Sequence, residues 1–219
     1  MGFGLLFIGY FFLLFFPLSR IDVLPNLAVV GCIIMLAGLK RLTHYCADNR
    51  AFKIARVLCI VLSAVSIAAL MLDVASIDGM LDGVNFLTPI TNTVFALSTQ
   101  AFTGALLVGA YKLAVQVELP KLAKRSVFVL SVNAAYLVAE LTASVCSIIH
   151  ALGVATEAFT LATGYIGIAA FILAYLVPFV NLVLIFSCYA HICLEGDEDM
   201  AYSEDIFDKI VAWTKRNKK

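Results

Sequence analysis

The sequence predicts an all-α, polytopic integral membrane protein, with six transmembrane helices in one bundle and both termini cytoplasmic. Three observations carry this expectation. The 219 residues are 63% hydrophobic and only 14% charged, with a mean hydropathy of +1.00; ordinary globular chains carry about 25% charged residues. The apolar residues gather into six runs of near-spanning or spanning length. Lys and Arg then sort by location, with 14 of the 15 in alternate connections or the C-terminal tail, which fixes orientation by the excess of positive charge on the inner side.

The first expected span, 2–18, is rich in aromatic residues and closes at Pro17. It lacks a basic leader region and a small-residue cleavage site, so it is expected to remain as a membrane segment. A short turn with Arg20, Asp22 and Pro25 leads to the second span, 25–41. Both are short for a hydrocarbon layer of about 30 Å; snorkelling by Lys40 and Arg41 or local thinning covers the difference. A re-entrant hairpin is the alternative for this pair.

The third span covers 54–77 and the fourth 88–112, where Thr88 and Pro89 suit a helix opening. The fifth covers 125–150, with a basic first turn that starts as early as Pro120. The sixth, 160–193, is interrupted by Pro178, with Asn181 one turn further on. Small residues at Thr163, Gly167, Ala170 and Ala174 are expected to permit close helix contact there. The outer connections carry Asp73, Asp78, Asp82 and Glu157, read as solubilising loop residues.

Residues 194–219 form a cytoplasmic tail with an acidic linker and a short amphipathic segment, 203–216. Phe207, Ile210 and Trp213 supply its apolar side, and Lys215 and Arg216 its basic end. Lying along the inner headgroups is the expected role, with docking onto a protein partner as the competitor.

The fifth span carries the candidate site. Asn133, Tyr136, Glu140, Ser144 and Ser147 recur at three- and four-residue intervals and so line one helical face. A carboxylate inside a span costs roughly 2.5–3.5 kcal/mol, so Glu140 is expected to face protein or water. The fourth span has its own polar side, Asn92, Thr93, Thr99, Gln100 and Thr103. Counting along the helices puts Thr99 and Gln100 near the depth of Glu140. The functional reading is a solute- or ion-binding site built on Glu140, Tyr136, Asn133, Gln100 and Thr99. The plainer reading is hydrogen bonding between helices.

A weaker constellation is Cys188, His191 and Glu195, whose residue types are metal ligands and whose spacing shares a helix face. No paired-cysteine or HExxH motif accompanies it, and no cofactor is expected. The six cysteines do not form a secreted disulfide pattern and read as reduced thiols.

Zero formal net charge argues against a nucleic-acid partner. Nucleophile-elbow, phosphate-loop and dinucleotide signatures are absent from the sequence. The expected partner is the lipid bilayer, of a prokaryotic plasma membrane, together with a small solute or a membrane or cytoplasmic protein. The leading expectation is binding or movement of a small solute. A non-transporting membrane adaptor or regulatory subunit comes second, and an intramembrane enzyme third.

Overall fold

The computed structural model describes residues 2–18, 28–77, 87–151 and 157–192. They form six helices and no strand: α1 Gly2–Leu18, α2 Ala28–Tyr45, α3 Arg50–Ile77, α4 Leu87–Gln116, α5 Pro120–Ala151 and α6 Glu157–His191. Helices α2 to α6 are long and apolar enough to cross a membrane, and α1 is shorter. Outward-facing side chains such as Ile33, Val57, Phe128, Phe171 and Phe179 are apolar and exposed. Apolar residues both inside and outside are the features of a multi-pass membrane protein.

Helices α2 and α4 run past the expected span ends, to Tyr45 and Gln116, and α5 starts at Pro120, the earliest start expected for it. Helical bonding does not stop where hydrocarbon gives way to headgroups, and Lys, Arg and Gln solvate these last turns. Helix α1 includes Pro17 rather than ending on it, and α4 opens at Leu87, one residue before the expected cap. Pro89 is thereby the third helical residue, where the missing N–H has no carbonyl to lose.

Each helix packs on its neighbours in sequence, and α1 closes the bundle against α6. On α1, Phe3, Leu6, Tyr10 and Leu13 form the buried stripe, and α2 answers with Ala28, Cys32, Met35, Leu39 and Leu42. Two glycines on each helix, seven residues apart, bring the backbones together. A Cβ added at Gly9 would lie 2.7 Å from the Gly31 carbonyl oxygen, and one at Gly38 would lie 2.8 Å from that of Gly2. The seven-residue spacing keeps both contacts on one seam of an antiparallel pair. Phe3 crosses further, edge-on to Phe52 of α3 with ring centroids 6.1 Å apart.

Of the small residues expected to permit close contact on α6, Ala170 is buried and Thr163 and Ala174 are half-buried. Gly167 is exposed, and an added Cβ there would meet nothing within 4 Å among the described residues.

Two turns at one end set the connections. Asn49, buried, caps α3 by accepting the Ala51 N–H (3.2 Å) and donates through Nδ2 to the Gly109 carbonyl of α4 (2.9 Å). The Phe52 ring occupies the space a side chain at Gly109 would need, with the nearest ring carbon 2.6 Å from its Cβ position. At the end of α4, Leu119 N–H bonds to the Ala114 carbonyl and Glu118 N–H to Val115, with Glu118 in the left-handed region (φ 56°). These are the two bonds that terminate a helix in a Schellman motif, and Pro120 then opens α5.

Candidate functional site

The start of α1, both of these turns and the end of α6 share one end of the bundle. Gly2 abuts Leu42 and Gly4 abuts Tyr189. At this end stand Lys40, Arg41, Arg50, Lys53, Arg56, Lys112, Lys121, Lys124 and Arg125, all exposed. Among the acidic and basic side chains that are described, Glu140 alone lies away from it.

Between the ends, four helices contribute to one buried hydrogen-bond network. Asn133 of α5 and Asn181 of α6 pair reciprocally: Asn133 Nδ2 donates to Asn181 Oδ1 (2.6 Å) and Asn181 Nδ2 to Asn133 Oδ1 (3.0 Å). Asn181 Nδ2 also donates to the Tyr10 hydroxyl of α1 (2.9 Å), which lies 3.2 Å from Thr103 Oγ1 of α4. Asn133 Nδ2 is shared with the Val129 carbonyl one turn back (2.8 Å). All four side chains are buried, Asn181 to 1% exposure. Buried amides need such partners, because an unmet donor or acceptor costs about 1–3 kcal/mol.

The polar face continues along α5. Tyr136 is buried, close to Tyr10, and its hydroxyl is hydrogen-bonded to the carboxylate of Glu140, one turn further on. Glu140 is itself half-buried. The carboxylate thus sits at the edge of the packed network, held by a neighbour on its own helix.

Other expected residues fall differently. Thr99 is half-buried, and its hydroxyl bonds to the Phe95 carbonyl of its own helix (2.9 Å). Gln100 is half-buried. Helices α4 and α5 run antiparallel from the 117–119 turn, which leaves Thr99 about one helical turn from the height of Glu140. Among the described residues, no hydrogen bond joins Thr99 or Gln100 to Glu140. The side chains of Asn92, Ser144 and Ser147 lie outside the description.

The expected metal ligands diverge. Cys188 is buried, whereas His191 is exposed with Nδ1 2.8 Å from the Ser187 carbonyl oxygen. Among the described residues, no three His, Cys, Asp or Glu side chains are grouped to hold a metal. Glu195 and the tail residues Phe207, Ile210, Trp213, Lys215 and Arg216 fall outside the described residues. Buried Cys59 donates its thiol to the Cys32 carbonyl (3.7 Å), packing α3 against α2.

Sequence reasoning singled out Asn133 and Tyr136 but missed Tyr10 as a partner and left Asn181 as a neighbour of the kink. The available signal was rarity: Tyr10 is the one hydrogen-bonding side chain in the apolar run of residues 2–18, and Asn181 the one amide in α6. No protein-family model matches the chain, and no curated protein or solved structure is similar to it.

Proposed function

We propose that the chain is a six-span membrane protein, with both termini in the cytoplasm of a prokaryotic cell, that binds or moves a small polar solute or ion within its bundle. The polar anchor is Glu140. The nine exposed cations at the shared end of the helices support the orientation. The intimate glycine seam with α2 supports counting α1 as a span, since it carries the shorter helix along its longer partner.

One observation carries the solute reading. Glu140 is the described charged side chain remote from the basic end, and it sits half-buried beside the Tyr136 hydroxyl at the edge of the network. A carboxylate kept at that depth is costly, and function is the usual reason to retain one. The test is thermal stabilisation of the purified protein across a library of small solutes. A ligand at 100 times its dissociation constant adds about 2.7 kcal/mol of stability. A hit should stabilise the parent and leave Glu140→Gln unaffected, with the two proteins within about 1 kcal/mol of each other without ligand. Equal stabilisation of both removes Glu140 as the anchor.

A second reading, a non-transporting adaptor, draws on the same network. Tyr10, Thr103, Asn133 and Asn181 spend hydrogen bonds on each other, as a packing lock would. It predicts that Glu140→Gln is silent in every assay of function.

A further inference from the structure

Pro178 lies inside α6 and has no N–H, so the carbonyl of Ala174 lacks its usual helical donor four residues on. A backbone acceptor without a partner is expensive in a membrane and must be met by something nearby. The reciprocal Asn133–Asn181 pair identifies what stands opposite. Glu140 lies seven residues forward from Asn133 on α5, and Ala174 seven residues back from Asn181 on α6. The helices are antiparallel, so both positions rise about 10.5 Å from the amide pair, towards the same end. Seven residues is close to two full turns, so each stays near the face its asparagine occupies. Ala174 lies on the packed side of α6, half-buried between Ala170, Val177 and Asn181, which are buried.

The level thus holds one carboxylate, the Tyr136 hydroxyl hydrogen-bonded to it, and one carbonyl without its helical donor. We propose that these three groups form a binding site for a dehydrated monovalent metal cation of the alkali class. This deepens the reading of Glu140 as the polar anchor and rests on it. The donors are all oxygen, which suits hard cations rather than thiophilic ones. Charge selects the valence. No described Lys or Arg stands at this depth, so one positive charge neutralises the carboxylate, whereas a divalent ion leaves a net charge in a poorly solvated site. A proton would also neutralise Glu140, but it would need no carbonyl from α6.

The experiment measures Tm of the purified full-length protein in neutral detergent at fixed pH and ionic strength. Choline chloride is replaced stepwise by NaCl or KCl, and each variant is compared with its own choline baseline. The expected result is a saturable rise in Tm for the parent with at least one of the two salts. The rise should be lost in Glu140→Gln, and its half-saturating concentration should increase at least tenfold in Pro178→Ala, which restores the backbone N–H. Tyr136→Phe should also raise it, and keeps the test decisive should Glu140→Gln fail to fold. Identical curves in choline, Na⁺ and K⁺, an undiminished rise in Glu140→Gln, or an unchanged half-saturation in Pro178→Ala would each overturn the site. A Glu140-dependent hit from the solute library without any cation response sinks this inference and leaves the broader reading standing. A solute hit independent of Glu140 sinks that reading by itself.

Discussion

Replacing Asn181 by leucine, a residue of similar bulk without polar atoms, tests whether the buried network binds the bundle together. The substitution removes three hydrogen bonds, two to Asn133 and one to Tyr10. Interhelical bonds in membrane proteins average about 0.6 kcal/mol and reach about 1.7. Three of them amount to roughly 2 kcal/mol. Asn133 Oδ1 then loses its donor, while Nδ2 keeps the Val129 carbonyl and Tyr10 keeps Thr103. One stranded acceptor, at about 1–3 kcal/mol, brings the expected loss to about 3–5 kcal/mol. The double variant Asn133→Leu/Asn181→Leu strands nothing at this pair, so it should cost less than the two single losses added, by about 1 kcal/mol or more. Reversible unfolding in mixed micelles supplies all four stabilities for a double-mutant cycle. Additivity within about 0.5 kcal/mol would mean that the pair is not coupled, and the reasoning would fail.

Two further expectations concern packing and capping. Gly9→Ala should destabilise the protein by about 1–3 kcal/mol, because its Cβ would press on the Gly31 carbonyl of α2; Gly167→Ala, with open space around it, should be neutral or stabilising by up to about 1 kcal/mol, and equal unfolding midpoints for the two would refute the seam. Asn49→Ala should cost about 1–2 kcal/mol in the same unfolding assay through loss of the α3 cap and of the bond to Gly109, and a wild-type midpoint would show that the cap carries no stability.

Much of the fold was legible in the sequence, for a simple reason. Hydropathy and the sorting of charge act locally, so α3 to α6 emerge from composition alone. Which face each helix buries was another matter. Helix α1 is apolar nearly all round, and nothing in its periodicity separates Phe3, Leu6 and Leu13, which are buried, from Ile8 and Phe11, which are exposed. The Gly2/Gly9 and Gly31/Gly38 repeats held the missing signal, but a seven-residue spacing gains meaning only once two helices are known to pair. The site divides in the same way. The periodic polar face of α5 pointed to Asn133, Tyr136 and Glu140. Tyr10 and Asn181 are 171 residues apart, and no local pattern links them. Asn49, directly before Arg50, was not singled out as a cap, and its reach to Gly109 depends on the missing side chain there.

In the proposed topology α5 crosses the membrane with Glu140 inside it, in a bundle whose basic end is cytoplasmic. Topology reporters inserted within 46–52, within 78–84 and after residue 219 test it most directly. The six-span arrangement predicts cytoplasmic signals from the first and last and an external signal from the middle one. A cytoplasmic reading at 78–84, or opposite readings at 46–52 and 219, would contradict the six-span arrangement and remove the membrane interior from around Glu140.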